Sequence, residues 1–195
     1  LYASPDFRPL LDIIINQVPR TEVFIGCRDG NVGAVRALYG DAKYQDAGPD
    51  LQSRLGDYCS YCERQIETHL AVEHIQPKSD VPTLRNDWSN FLLGCVNCNS
   101  SKGDTPVNLS DYLWPDYDNT LWAFEYVRGG LVQPNSTLLP PIQAKAHATI
   151  SLVGLDKFPG NPGREPSRSD QRWLRRLELW QLAEKDRQRL VTNNS

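Results

Sequence analysis

The sequence predicts an α+β fold, in which a unit of two short strands and one helix lies between two pairs of cysteines. Apolar runs at 71–75 and 91–93 have the length and composition of β-strands, and a helix is expected over 96–102. Both runs lie between cysteine pairs of CxxC spacing. Amphipathic segments stand towards both ends of the chain, so helices and a small β-hairpin are expected to flank the central unit.

Three regions are predicted along the chain. Residues 1–48 form an N-terminal helical segment, with helices expected over 6–18 and 31–39. Residues 49–157 form the central domain, which includes the cysteine pairs and a hairpin extension. Residues 158–195 form a linker rich in Pro, Gly, Arg and Ser, followed by a basic amphipathic helix.

Start, stop and turn signals predict further elements of the central domain. Pro49 is typical of the first turn of a helix, and Gly56 ends that helix just before the first cysteine. Aromatic and aliphatic residues alternate over 121–127, and the Gly-Gly turn that follows predicts a β-hairpin. A further helix is expected over 142–153.

The overall charge limits the classes of function. A net charge of −3 and an isoelectric point of about 5.6 lack the basic excess of proteins that bind nucleic acid tightly on their own. This charge does not conflict with an enzyme that a partner protein delivers to its substrate. The apolar cluster over 10–15 is interrupted by Asp12 and has the features of neither a signal peptide nor a membrane span, so a cytoplasmic protein is expected.

Four of the five cysteines form two CxxC pairs, Cys59/Cys62 and Cys95/Cys98. In a reducing compartment such pairs indicate a metal site, and four thiolates around Zn²⁺ leave no position for a substrate. A structural zinc is therefore predicted. Four unrelated buried cysteines, or a redox-active CxxC pair, are the alternatives. Cys27 is interpreted as a buried free thiol.

Polar residues suited to phosphodiester chemistry cluster between and just after the cysteine pairs. Such chemistry needs a base that activates water and a divalent cation that stabilises charge on the phosphate. A histidine at a strand end, next to an acid and facing an amide on a helix, supplies these parts. The candidates are Glu73, His74, Lys78, Asn90, Asn99 and Lys102.

The pattern EHIxPKS…WxN…LLxCxxCNxxK resembles the HNH nuclease superfamily in its zinc-clasped ββα-metal form. The resemblance implies an endonuclease that hydrolyses phosphodiester bonds, with DNA favoured and RNA as an open alternative. It also implies that His74 is the general base, that Glu73 and Asn99 bind one catalytic Mg²⁺ or Mn²⁺, and that Asn90 fastens the loop and orients His74. Lys102 would contact phosphate.

Two positions depart from the commoner family pattern. Asn99 stands where histidine is frequent, and Glu73 stands where aspartate is commoner. Both keep oxygen ligands, which hard divalent cations prefer. By the same resemblance, Lys78 is a second candidate for contacting phosphate.

A longer likeness covers residues 50–157. This part of the sequence is similar to PtuB-like HNH nucleases of Septu and retron-linked anti-phage systems. The motifs that carry the likeness are CxYCE, VEHIQPKS, WSNFLLGCxxCNSSKGD, and the later FEY strand, Gly-Gly turn and LVGLD helix end. In that family the nuclease works with an ATPase partner. The likeness therefore implies a nuclease subunit of a defence complex.

Each of these features has a simpler interpretation. Asn90 and Asn99 have the residue type of turns and helix caps, and a zinc-knuckle module that only binds nucleic acid or a partner would need the cysteines but not Glu73 or His74. His69 and His147 lack polar company and are interpreted as structural.

The C-terminal helix is expected over 169–190. One stripe is apolar, and the other carries several arginines, which either form a solvated basic face or dock a nucleic acid or a partner. These arginines are Arg172, Arg175, Arg176, Arg187 and Arg189.

Overall fold

The computed structural model describes residues 43–66 and 70–193. The helices predicted within the N-terminal segment, together with Cys27 and His69, lie outside these residues. Within the described ranges, no helix is both long and apolar enough to cross a membrane.

Helix α1 spans Gly48–Leu55 and precedes the first cysteine pair. Pro49 lies in its first turn, where the N–H group that proline lacks would have no partner within the helix. Gly56 ends the helix with a φ of +70°, and its N–H donates to the Gln52 carbonyl. The helix therefore begins and ends at the residues that the sequence indicated.

Strands β1 (Leu70–His74) and β2 (Phe91–Cys95) pair antiparallel, and helix α2 (Val96–Lys102) follows β2 directly. This arrangement confirms the predicted ββα unit. The register places the end of β1 beside the start of β2, because His74 lies opposite Phe91. The long connection between the two strands therefore leaves from and returns to the His74 end.

The two faces of the β1–β2 hairpin pack against different parts of the molecule. One face lies under α1 in a small buried cluster, whose members are Ala47, Leu51, Val72, Trp88, Phe91 and Leu93. Leu92 points the other way, into the larger core that contains the cysteines and the second hairpin. Because successive strand residues alternate between faces, Glu73 and His74 leave β1 on opposite sides.

A second hairpin follows the ββα unit. Helix α3 is a single turn at Thr120–Ala123, strands β3 (Phe124–Val127) and β4 (Leu131–Pro134) pair antiparallel, and helix α4 spans Pro140–Leu152. The hairpin and α4 agree with the prediction, but the strand expected over 121–127 begins only at Phe124. The side chain of Asn119 accounts for the difference, because it accepts a hydrogen bond from the Trp122 N–H and caps a helical turn there.

The last helix, α5, spans Arg172–Asn193. Its first turns rest on the β3–β4 turn, where Trp173 Nε1 donates to the Gly129 carbonyl over 2.9 Å. A β-carbon at Gly130 would lie 2.7 Å from the Leu177 backbone nitrogen, and Gly130 has a φ of +72°, so only glycine fits this close approach. Trp173 and Leu177, two members of the predicted apolar stripe, therefore lie on the docked side of the helix, whereas Leu174 of the same stripe is exposed.

Candidate metal centre and active site

The four cysteines of the two CxxC pairs come together in one cluster. Their sulfur atoms all lie within 4.8 Å of one another, and the Cys62 and Cys95 sulfurs are 3.9 Å apart. A disulfide needs about 2.05 Å, whereas sulfurs bound tetrahedrally to zinc at about 2.3 Å lie about 3.8 Å apart. The cluster therefore fits a zinc site, as predicted, and does not fit a disulfide.

The cysteine thiols strongly affect one another. Contact with Cys59 raises the pKa of Cys62 and of Cys98 well above the ordinary thiol value, and burial raises it further. Contact with the same neighbour lowers the pKa of Cys95. Four sulfurs this close cannot all carry negative charge without a cation among them, which a divalent metal supplies. Four thiolates also fill a tetrahedral coordination shell, so the metal would have a structural role.

Glu73 lies on the α2 side of the β1–β2 hairpin and is buried. Its Oε1 atom forms an ion pair with the Lys102 Nζ at 2.9 Å, and the same ammonium donates to the His74 carbonyl oxygen at 2.7 Å. Burial raises the pKa of the Glu73 carboxyl, and the charge of Lys102 opposes that rise. Lys102 therefore favours the ionised form of this carboxyl.

The geometry differs from the expectation that Lys102 contacts phosphate. Its side chain is 1% exposed, and its ammonium points inward to Glu73 and the carbonyl of His74. The cause lies in its position on α2, one turn after Asn99, on the helix face that packs against β1. The role of Lys102 is therefore reconsidered below.

Asn99 and Glu73 lie beside the same glycine. A β-carbon at Gly94 would come within 3.1 Å of the Glu73 β-carbon and 3.6 Å of the Asn99 β-carbon. The missing side chain at Gly94 leaves space between a carboxylate and an amide, and both offer oxygen atoms. This donor set fits a hard divalent cation such as Mg²⁺ or Mn²⁺.

His74 lies on the other side of the strand, 7% exposed, with its ring oriented by a backbone carbonyl. Its Nε2 atom is 2.8 Å from the Arg85 oxygen. A carbonyl only accepts hydrogen bonds, so Nε2 carries the proton and Nδ1 of the neutral ring keeps its lone pair. Burial lowers the pKa of His74 below the ordinary histidine value, which favours the neutral form near pH 7.

Asn90 fastens the loop that joins the two strands. Its Oδ1 accepts from the Gln76 N–H at 2.8 Å, and its Nδ2 donates to the carbonyls of Gln76 and Leu84. These bonds secure both ends of the segment that brings the Arg85 carbonyl to His74. Asn90 thus acts on the imidazole through the loop, whereas the contact to the ring itself comes from Arg85.

Tyr44 is a neighbour of His74 that the sequence did not indicate. Its ring packs edge-on against the imidazole with 4.7 Å between centroids, and Phe91 contacts the imidazole at 5.3 Å. The Lys78 ammonium donates to the Tyr44 hydroxyl at 2.9 Å and lies 4.5 Å from the centre of the ring. Lys78 is exposed, so this pair forms an outward-facing cationic edge beside His74.

The predicted residues therefore form two adjoining groups. Glu73, Asn99 and Lys102 lie on the α2 side of β1, and His74 and Lys78 lie on the side of the connecting loop. Lys102 joins the groups, because its ammonium reaches the carbonyl of His74. His147 stands apart from both groups, exposed on α4.

Residues 59–105 match the family model of the HNH endonuclease. The matched segment contains the cysteine cluster, both strands of the first hairpin and all of α2, so this part of the chain is an HNH domain of nuclease type. No curated protein matches the chain. The resemblance to the HNH superfamily is thus confirmed over this segment, while the likeness to PtuB-like nucleases has no support from a relative.

Proposed function

We propose that the protein is a metal-dependent HNH endonuclease that hydrolyses phosphodiester bonds, with DNA as the favoured substrate. The observation that carries this proposal is the position of His74 inside the HNH match, with Nε2 committed to the Arg85 carbonyl and Nδ1 left to accept a proton. RNA is the alternative substrate, since both nucleic acids present the same scissile group.

In this proposal His74 is the general base. Its Nδ1 takes a proton from water, the water oxygen bonds to phosphorus, and the bond from phosphorus to the leaving oxygen breaks. The leaving oxygen takes a proton from solvent. The lowered pKa of His74 supports the role, because a base must be unprotonated at the start of each turnover.

Glu73 and Asn99 are the proposed ligands of one Mg²⁺ or Mn²⁺ ion, which when bound stabilises negative charge on the phosphate. Lys102 is a positioning residue in this account. It keeps the buried Glu73 carboxyl ionised and aims one of its two oxygens, leaving the second oxygen of the carboxylate for a cation.

Lys78 and Tyr44 are proposed to hold the nucleic-acid backbone beside His74. Because the Lys78 ammonium donates to the Tyr44 oxygen, the tyrosine proton remains available for a phosphate oxygen. An exposed ammonium with a neighbouring hydroxyl binds a phosphate by charge and by hydrogen bonding. Both groups lie on the His74 side of the strand, where the attacking water would be activated.

Cleavage of plasmid and of RNA by zinc-loaded protein tests the function. We expect nicking that requires added Mg²⁺ or Mn²⁺ and is absent in the same preparation without them. A zinc-knuckle binding module, the second candidate, would retard nucleic acid in a gel without producing any cleaved product. That result with both substrates, in the presence of the native partner, would contradict the proposal.

We further propose that the protein acts as the nuclease subunit of an anti-phage complex with an ATPase partner. The support is the longer motif likeness and the net charge of −3, which suits an enzyme that another protein brings to its substrate. Co-purification from the native source, with identification of the bound proteins, tests this assignment. Recovery of the protein alone would argue against it.

A further inference from the structure

Arg172 reaches the cysteine cluster from a distant part of the chain. It is the first residue of α5 and is 3% exposed. Its Nη1 donates to the Cys98 sulfur at 3.1 Å and to the Val153 carbonyl at 2.8 Å. The arginine therefore does not belong to a solvated basic face, which was one of the two interpretations of the helix.

The guanidinium is held in one orientation by several partners. Asp170 binds it in a bidentate manner, because Nε donates to Oδ1 at 2.8 Å and Nη2 donates to Oδ2 at 2.7 Å. Nη2 also donates to the Gly154 carbonyl at 3.1 Å. A β-carbon at Gly154 would lie 3.2 Å from Nη2, so glycine leaves the room that the guanidinium occupies. Several hydrogen bonds in the plane of the guanidinium therefore fix its position and orientation.

The charge of the cluster explains what such a site does. Zn²⁺ with four thiolates carries a net charge of 2−, and a buried anion is costly unless neighbouring groups donate hydrogen bonds to it or carry opposite charge. A guanidinium N–H that donates to a ligand sulfur supplies both the hydrogen bond and the opposite charge. Mutation of a residue that donates to a metal ligand in this way commonly lowers metal affinity by about tenfold to a hundredfold.

We propose that Arg172 is an outer-sphere part of the zinc site, so that zinc retention and docking of the C-terminal helix are coupled. The inference rests on the cysteine cluster and not on nuclease activity. By linkage the coupling is reciprocal: the docked helix slows loss of the metal, and the metal stabilises docking of the helix.

Zinc release from the full chain to a chromogenic chelator tests the proposal. We expect Arg172→Ala to release zinc about ten times faster than wild type. Arg176→Ala is the matched control, because Arg176 also anchors α5 but donates to the Gly130 and Leu155 carbonyls and not to a cysteine sulfur. Arg175→Ala changes an exposed arginine whose side chain pairs with Glu178 on the same helix, and release should be unchanged.

Two results would overturn the assignment of Arg172 to the zinc site. Release from Arg172→Ala at the wild-type rate would show that the arginine does not affect the metal. Equal acceleration in Arg176→Ala would show that helix docking alone, without the contact to sulfur, accounts for retention.

Cobalt substitution gives a readout that a purely structural role would not move. The sulfur-to-metal charge-transfer bands of the Co²⁺ form should shift in Arg172→Lys, which keeps the charge but loses the planar set of donors, and stay in place in Arg176→Ala. Arg172→Lys also decides the matter if Arg172→Ala does not fold, because its zinc release should still exceed that of wild type. Unshifted bands together with wild-type release in Arg172→Lys would refute the proposal.

Discussion

The cysteine cluster and the His74 end of β1 belong to the same HNH domain but are built in opposite ways. Cys59 and Cys98 are fully buried, and the cluster is further covered by Arg172. Beside His74, by contrast, Lys78 is exposed and Tyr44 is half-buried. One region turns its four sulfur atoms inward towards one another, and the other presents an exposed ammonium group at the surface.

The difference shows how a small domain can keep an open site ordered. Two short strands bury little surface, and the loop between them is long, so local packing alone would leave His74 loosely held. The cluster fixes the far end of the hairpin, where Cys95 ends β2, and Asn90 fixes the near end. Breaking each constraint should therefore have a different consequence.

The largest effect is expected from Cys98→Ser. Loss of one thiolate should remove stoichiometric zinc and the cooperative melting of the domain, because structural zinc contributes about 10 kcal/mol or more of apparent binding free energy in comparable units. Zinc content by atomic emission and a thermal melt measure both. Cys27→Ser, outside the two pairs, is the control and should keep one zinc; retention of zinc in Cys98→Ser would argue against the cluster as the metal site.

A smaller loss of stability is expected from Asn90→Ala. Three part-buried hydrogen bonds disappear, and the backbone groups of Gln76 and Leu84 lose their side-chain partner, so the free energy of unfolding should fall by about 2–4 kcal/mol in urea titration. Zinc should remain bound. Asn108→Ala removes an exposed asparagine cap and should cost no more than about 1 kcal/mol. Equal costs would mean that Asn90 does not fasten the loop.

The smallest effect on the fold is expected from Gly94→Ala, which should mainly reduce cleavage. The added methyl group would crowd Glu73 and Asn99, so metal-dependent cleavage should fall about tenfold while zinc content is unchanged. Gly48→Ala is the control, since its β-carbon would meet only Val72 at the ordinary contact distance of 3.9 Å. Wild-type cleavage by Gly94→Ala would argue against a cation between these two side chains.

Much of the HNH domain could be predicted from the sequence, because its signals are local. The CxxC spacing is typical of a metal site, and the short apolar runs are typical of paired strands. Pro49 and Gly56 mark the start and end of a helix because of the backbone conformations they favour. The error in the second hairpin was local too. Aromatic alternation indicated a strand over 121–127, and the side chain of Asn119 favoured a helical turn instead.

The remaining features could not be predicted, because they depend on tertiary contacts. Nothing in the residues around Arg172 indicates a sulfur seventy-four positions away, and a basic helix normally implies an exposed face. The carbonyl of Arg85 has no side-chain signature at all. Tyr44 lies outside the motif, and the inward direction of Lys102 follows from how α2 packs on β1.

The most direct test of the account measures zinc content and cleavage rate together in His74→Ala. We predict one zinc per chain and a rate lower by at least about 100-fold, because the base is lost while the cluster is untouched. His147→Ala, which changes the exposed histidine on α4, should retain both zinc and activity. Cleavage by His74→Ala at the wild-type rate, or loss of its zinc, would contradict this account, in which the zinc is structural and His74 at the end of β1 is catalytic.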